Sequence, residues 1–297
     1  MLHPSLTDLT EQALTSRSPA MVRGVLAESK DLLRNALSHQ EPVGDLTAWY
    51  SRTILAALSS PAVASLLSGV TVRPIGALGR HEALPTDPVG WILIGTSPAA
   101  NSALTELFLE AGLPVFGTHD PATETQWSER AASATDAATA GMLIDAHLLT
   151  TSRPLPALLE RAIAHRPPAV RLTEGRPDYD TDVNIHATLM DPAVDVARWA
   201  GLLASSTGTT TRARLSDALA AGILTADEAD SLTQAWNTGA ALEMNRWYDN
   251  LPGDTTLIAN LSAVDRSAYG AAARLVASAL RSLAARHNIS LDEGREQ

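Results

Sequence analysis

The chain has 297 residues, 45% hydrophobic, with 22 basic against 33 acidic side chains and a formal net charge of -11. That balance repels a phosphate backbone, and the scattered arginines form no basic groove, so nucleic acid is excluded as a partner. Without cysteine there are no disulfides, no thiolate catalysis and no cysteine-bound zinc. The opening MLHPSLTDLTEQ lacks the charged flank and apolar centre of a signal peptide, and no run of about 18 apolar residues predicts a membrane span. A cytoplasmic protein with no membrane partner is expected.

In chain order, Ser18 and Pro19 supply a cap and a first-turn proline, and Val22, Val25, Leu26, Leu33 and Leu37 then recur on one helical face. Leu46, Trp49, Thr53, Ile54 and Leu58 repeat the spacing after the break at Pro42 to Gly44, which predicts an N-terminal helical region over 1–68. Short apolar runs at Val70 to Leu78 and Trp91 to Ser97 predict strands. A helix at 101–111, an extended LPVFG at 113–117, an alanine-rich helical segment around Trp127 and a strand MLIDAHLLT at 142–150 follow. Together these predict a compact mixed sheet with helices on one side over 69–165. The proline-, glycine- and charge-rich RPPAVRLTEGRPDYDTD, 166–182, reads as a linker or long loop. Periodic segments near 195–206, 211–222, 227–247 and 265–288 then predict an antiparallel helical bundle within 183–290, with Thr225 and Glu228 as a capping box. The fold class is α+β: N-terminal helices, a central mixed sheet with helices, and a C-terminal helical bundle.

One stretch carries the chemistry. In GALGRHEALPTDPVGWILIG, Gly76 and Gly79 permit close backbone approach to an anion, Arg80 offers a fixed charge for phosphate, and Asp87 precedes a strand. The same residues also suit an ordinary structural turn. Glu82 is placed to pair with Arg80 or cap the turn. Asp145 and His147, two apart on the expected strand, share a face there; with His119 and Asp120 they allow a metal-dependent hydrolase as a rival reading. Asp145 could equally be a buried partner of Arg80. Trp199, Trp236 and Trp247 fall where helical cores are filled.

The stretch resembles the bacterial nucleotidyltransferases with a substrate-binding domain that are related to the uridylyltransferase of the PII regulatory protein. Their signature runs G-S-x-G-R-x-E, a spacer, then S-D-x-D and an apolar strand. Gly76, Gly79, Arg80 and Glu82 match its first part, Thr86 and Asp87 its second, and Trp91 to Ile94 the strand. LIDAH, 143–147, is similar to the family's later acidic strand, with His147 at an arginine position. DVNIHATLMDPAVDVARWAGLL, TRARLSDALAAGIL and LSAVDRSAYGAAARLV resemble parts of its helical domain, with His186 where the family often has lysine.

The resemblance implies a nucleoside triphosphate as ligand or substrate and magnesium held by Asp87 and Asp145 as the catalytic and metal residues. Gly76, Gly79, Arg80, Thr86 and His147 would line the nucleotide site. A protein partner or acceptor is implied as well. Two departures weaken that site: Ala77 stands at the serine position and Val89 at the second aspartate, and an aliphatic side chain cannot ligate a cation. The expectation is a degenerate nucleotidyltransferase with weak or no transfer and retained nucleotide or partner binding. An active magnesium-dependent enzyme is the alternative.

Overall fold

The computed structural model describes residues 2–116, 119–149, 154–167, 172–173, 176–177, 179–251 and 253–291. The chain is mostly helical with a small two-stranded sheet in its first half, an α+β composition. It divides into two compact units, 1–134 with 142–149, and 135–141 with 150–297. Among the described residues no helix is long and apolar enough to cross a membrane.

The first unit begins with α1 (Pro4–Thr15), α2 (Pro19–Ser38), α3 (Val43–Leu58) and α4 (Pro61–Leu67). Ser18 caps α2 by accepting the Met21 N–H, with Pro19 in the first turn as expected. The apolar stripe closes on α3: Leu26, Leu33, Leu46 and Ile54 have no exposure, and Trp49 is 1% exposed while its Nε1–H donates to the Leu6 carbonyl at 2.7 Å. That bond satisfies the indole's one donor and fixes α1 across α3.

Strand β1 (Thr71–Ile75) pairs antiparallel with β2 (Gly90–Ile94), in a register that sets Thr71 against Ile94 and Ile75 against Gly90. The other side of β2 carries parallel bridges, Val89 to Val115 and Ile94 to Ala122. Thus the expected extended LPVFG meets the sheet through Pro114, Val115 and Phe116; its Gly117 lies outside the described residues. β1 ends earlier than Leu78 because Gly76 turns to φ +62° and opens the short helix α5 (Gly76–Gly79). Beneath the sheet lie α6 (Pro98–Glu110) and α7 (Glu124–Ser133), whose Trp127 Nε1–H donates to the Leu93 carbonyl at 2.9 Å.

The strand expected over 142–150 is not formed. Its residues to Asp145 are the second half of helix α8 (Ala137–Asp145), and Thr150 lies outside the described residues. The run AATAGMLID favours helix by its alanines, and a short, mostly apolar run has no periodicity that separates strand from helix. His147, at φ +58°, terminates the helix: its N–H bonds the Ile144 carbonyl and the Leu148 N–H bonds the Leu143 carbonyl, the paired bonds of a left-handed helix stop. Asp145 and His147 therefore do not share a strand face.

In the second unit, α9 (Pro156–Ala164) precedes two-residue ladders, β3 (Leu172–Thr173) with β4 (Arg176–Pro177), and β5 (Asp182–Val183) with β6 (Thr256–Leu257). The expected linker at 166–182 falls partly on residues outside those described. A π-helical turn, His186–Met190, runs into α10 (Asp191–Leu203), followed by α11 (Thr211–Ala220), α12 (Ala226–Tyr248) and α13 (Ala263–His287). The wide turn needs room, and Gly239 on α12 gives it: a Cβ there would lie 2.7 Å from Met190 Cγ. Trp199 and Trp236 are buried as expected, and Trp247 is half-buried.

The start of α12 carries the capping box read from the sequence, Thr225 accepting the Glu228 N–H and Glu228 accepting the Thr225 N–H. The Glu228 carboxylate does more than cap. It also accepts from Ser282 Oγ at 2.7 Å and Arg286 Nη2 at 2.5 Å, so one buried group ties α12 to α13. Replacing it removes a cap and leaves the Ser282 and Arg286 donors without this acceptor. Glu228→Ala is expected to destabilise the second unit by about 2–4 kcal/mol, read from its transition in chemical denaturation, whereas Glu228→Gln retains part of that stability.

Candidate functional site

The residues of the signature stretch gather in the first unit around one guanidinium. Helix α5 is only one turn, and it stops as α8 does. His81 takes φ +62°, its N–H bonds the Leu78 carbonyl, and the Glu82 N–H bonds the Ala77 carbonyl. GRHE is thus a helix stop. The reversal turns Arg80 and Glu82 inward while His81 stays exposed.

Arg80 is 6% exposed. Its Nε donates to Glu82 Oε2 at 3.1 Å and its Nη1 to Asp145 Oδ2 at 2.7 Å. Glu82 is 5% exposed and Asp145 has no exposure, so one positive and two negative charges share a dry interior. Three charges out of water are tolerable only when each is engaged by short, directed bonds. Backbone geometry supports the same contact, since a Cβ on Gly79 would fall 2.8 Å from the carbonyl oxygens of both Asp145 and Pro74. Gly79 permits a close approach, but of protein backbone.

The rest of the stretch docks on α3. The Ala83 N–H donates to Ser51 Oγ at 2.7 Å, and Asp87 accepts the Leu84 N–H through Oδ2 at 2.8 Å, closing the turn before β2. Asp87 is half-buried; burial first, and its negative charge second, raise the buried Tyr50 hydroxyl above the ordinary tyrosine range. Thr86 and His147 are exposed, and Gly76 is half-buried at its positive φ. Val89 is 2% exposed, with its N–H bonded to the Pro114 carbonyl and its carbonyl to the Phe116 N–H. It is a sheet residue pointing into apolar packing.

These residues do not fit a carboxylate-held magnesium pair. Asp145 is held by Arg80, Asp87 closes its own turn, Val89 offers no donor, and no group of three His, Asp or Glu side chains among the described residues converges on a point. The rival metal site fares likewise. His119 packs its ring edge-on to Trp127 with centroids 6.4 Å apart, and no group of three His, Asp or Glu side chains among the described residues gathers around it.

In the second unit, sequence reasoning missed a further charged cluster. Asp195 on α10, 2% exposed, receives Arg161 of α9 in a two-pronged bond, with both contacts at 2.6 Å, and Arg198 at 3.0 Å. The Asp195–Arg198 spacing of three was visible as a helical pair; Arg161, 34 residues away, left no signal. His186 bonds Asp191 at 3.1 Å across the π-helical turn, where its five-residue spacing stacks the two side chains.

Removing the central guanidinium should be more damaging than removing all three charges. Arg80→Met is expected to cost about 3–5 kcal/mol because it removes the cationic partner of two buried carboxylates. The triple variant Arg80→Met, Glu82→Gln, Asp145→Asn should recover part of that loss, as measured by denaturant midpoints at constant pH. Gly79→Ala should cost at least about 2 kcal/mol, since neither opposing carbonyl is a flexible side chain that can swing aside.

No curated protein matches this chain. Residues 153–287, which span α9 to α13, match the family described as "Putative nucleotidyltransferase substrate binding domain". The second unit is thus where the family is legible, through the match over 153–287.

Proposed function

We propose that this protein is a degenerate relative of the PII uridylyltransferase-like nucleotidyltransferases. In this reading its first unit has weak or no transfer activity, and its second unit serves recognition of a partner. The observation that carries the reading is the Arg80–Asp145 bond at 2.7 Å with Asp145 wholly buried. The aspartate that would hold a cation and the arginine that would hold a phosphate neutralise one another instead. Freeing either costs the folded unit several kcal/mol before any ligand is bound.

Val89 supports the same reading, because its side chain is packed and its backbone is in the sheet. In-line attack on an α-phosphate needs charge neutralisation where charge develops, and each lost ligand of a few kcal/mol lowers the rate by orders of magnitude. Nucleotide retention would rest on the exposed Thr86 and His147 and the half-buried Gly76, with Arg80 committed elsewhere. A magnesium-dependent enzyme acting on a protein or small-molecule hydroxyl is the outcome that would displace this proposal.

Titration with ATP and with UTP, each with and without magnesium, followed by a pyrophosphate-release assay, separates the two. The expected result is no release above background with either nucleotide, and an Asp87→Asn variant indistinguishable from the parent. Sustained turnover that Asp87→Asn abolishes would remove the degenerate reading.

A further inference from the structure

Helices α12 and α13 run antiparallel, because Glu228 at the start of α12 bonds Ser282 and Arg286 near the end of α13. The end of α12 and the start of α13 therefore share the opposite tip of the second unit. Segment 179–183 joins them there. β5 pairs with β6, the Ala259 N–H bonds the Tyr179 carbonyl, and the Ile258 N–H bonds the Thr181 carbonyl.

Single exposed apolar side chains are ordinary on a protein surface, but a gathering of them is not. Among the described residues, five large apolar side chains of the second unit stand exposed: Tyr179, Leu219, Tyr248, Leu251 and Val264. All but Leu219 lie at this tip, with Leu251 50% and Val264 78% exposed. The same segments, 179–183 and 248–266, carry Asp180, Asp182, Asp249, Asp254 and Asp265 against one basic residue, Arg266. That arginine is engaged within the fold. Its guanidinium lies over the Tyr179 ring, 5.1 Å from the centroid, and its Nη1 donates to the Ala259 and Leu261 carbonyls at 3.0 and 2.8 Å. The tip is thus apolar and acidic at once.

We propose that this tip docks a basic, amphipathic segment of a partner protein, whose apolar side chains seat among Tyr248, Leu251 and Val264 while its arginines or lysines meet the aspartates. The proposal rests on the reading of the second unit as the part that recognises a partner. Charge selects the occupant. A second copy of this chain, with its net charge of -11, would set acid against acid across a two-fold contact. Nucleic acid and an anionic membrane surface are repelled for the same reason. A cationic amphipathic segment gains from both features, since apolar contacts at the centre slow its release and charges at the rim steer its approach.

The test uses the folded full chain and a short fluorescein-labelled peptide that forms a helix with leucines on one face and arginines on the other, read by anisotropy. Saturable binding is expected, weakening between about 50 and about 300 mM salt, whereas a peptide with glutamate in place of each arginine should not bind. Leu251→Ser with Val264→Ser alters two exposed side chains and no charge, and should weaken binding by about tenfold. Asp249→Asn with Asp254→Asn should weaken it several-fold and flatten its salt dependence. Asp8→Asn with Asp31→Asn, the same change of net charge on exposed residues of the first unit, should leave it unaltered. No binding, serine variants that bind like the parent, or equal losses from the two aspartate pairs would overturn the assignment. So would a dimer in sedimentation velocity that the serine variant dissolves, since the face would then belong to a second copy. Pyrophosphate turnover would instead strike the degenerate reading and leave the peptide result as it is.

Discussion

The Arg80 guanidinium, held between Glu82 and Asp145, is the constraint that organises the signature stretch. It lies almost wholly out of solvent, so none of its partners can be traded for water at low cost. Geometry upstream and downstream follows from it. Gly79 must lack a side chain for two carbonyls to come within reach, His81 must take a left-handed conformation to end α5, and α8 must stop where Asp145 faces the arginine. A loop that reads as a cradle for a ligand's charge is, in the fold, a cradle for the protein's own.

Helix periodicity made the N-terminal helices and the helices of the second unit legible, because amphipathic stripes of ten or more residues are strong signals. Leu26, Leu33 and Ile54, wholly buried, sit where the spacing placed them. The capping box at Thr225 and Glu228 was equally readable, since it depends on neighbours three residues apart. The run at 142–150 was misread because a short, mostly apolar run serves a buried helix as well as a buried strand. Two helix stops were hidden by histidine occupying the left-handed position that usually advertises itself through glycine.

For the candidate site, the sequence drew attention to Arg80, Glu82 and Asp145, which the fold brings together, and left their roles open. Pairing of Glu82 with Arg80 was foreseeable from a spacing of two; the choice between Asp145 as cation ligand and as partner of Arg80 was not. That choice rests on a separation of 65 residues closed only by tertiary packing. Arg161 and Asp195 make the same point in the second unit, where a two-pronged ion pair joins residues with no local pattern in common. Family similarity is correspondingly uneven, confined to 153–287 while the first unit, which holds the signature stretch, lies outside the match.

Val89 is held by ordinary packing. Its flanking amide and carbonyl knit the sheet to the 114–116 segment, and its methyl groups occupy a position with 2% exposure. An ionised carboxylate introduced there would enter a position almost closed to solvent, at a cost of several kcal/mol unless a partner received it. Installing a carboxylate at this position is therefore more than a single codon change. It would require the neighbourhood to loosen first, and each intermediate along the way would be a poorer protein before it became any better a catalyst.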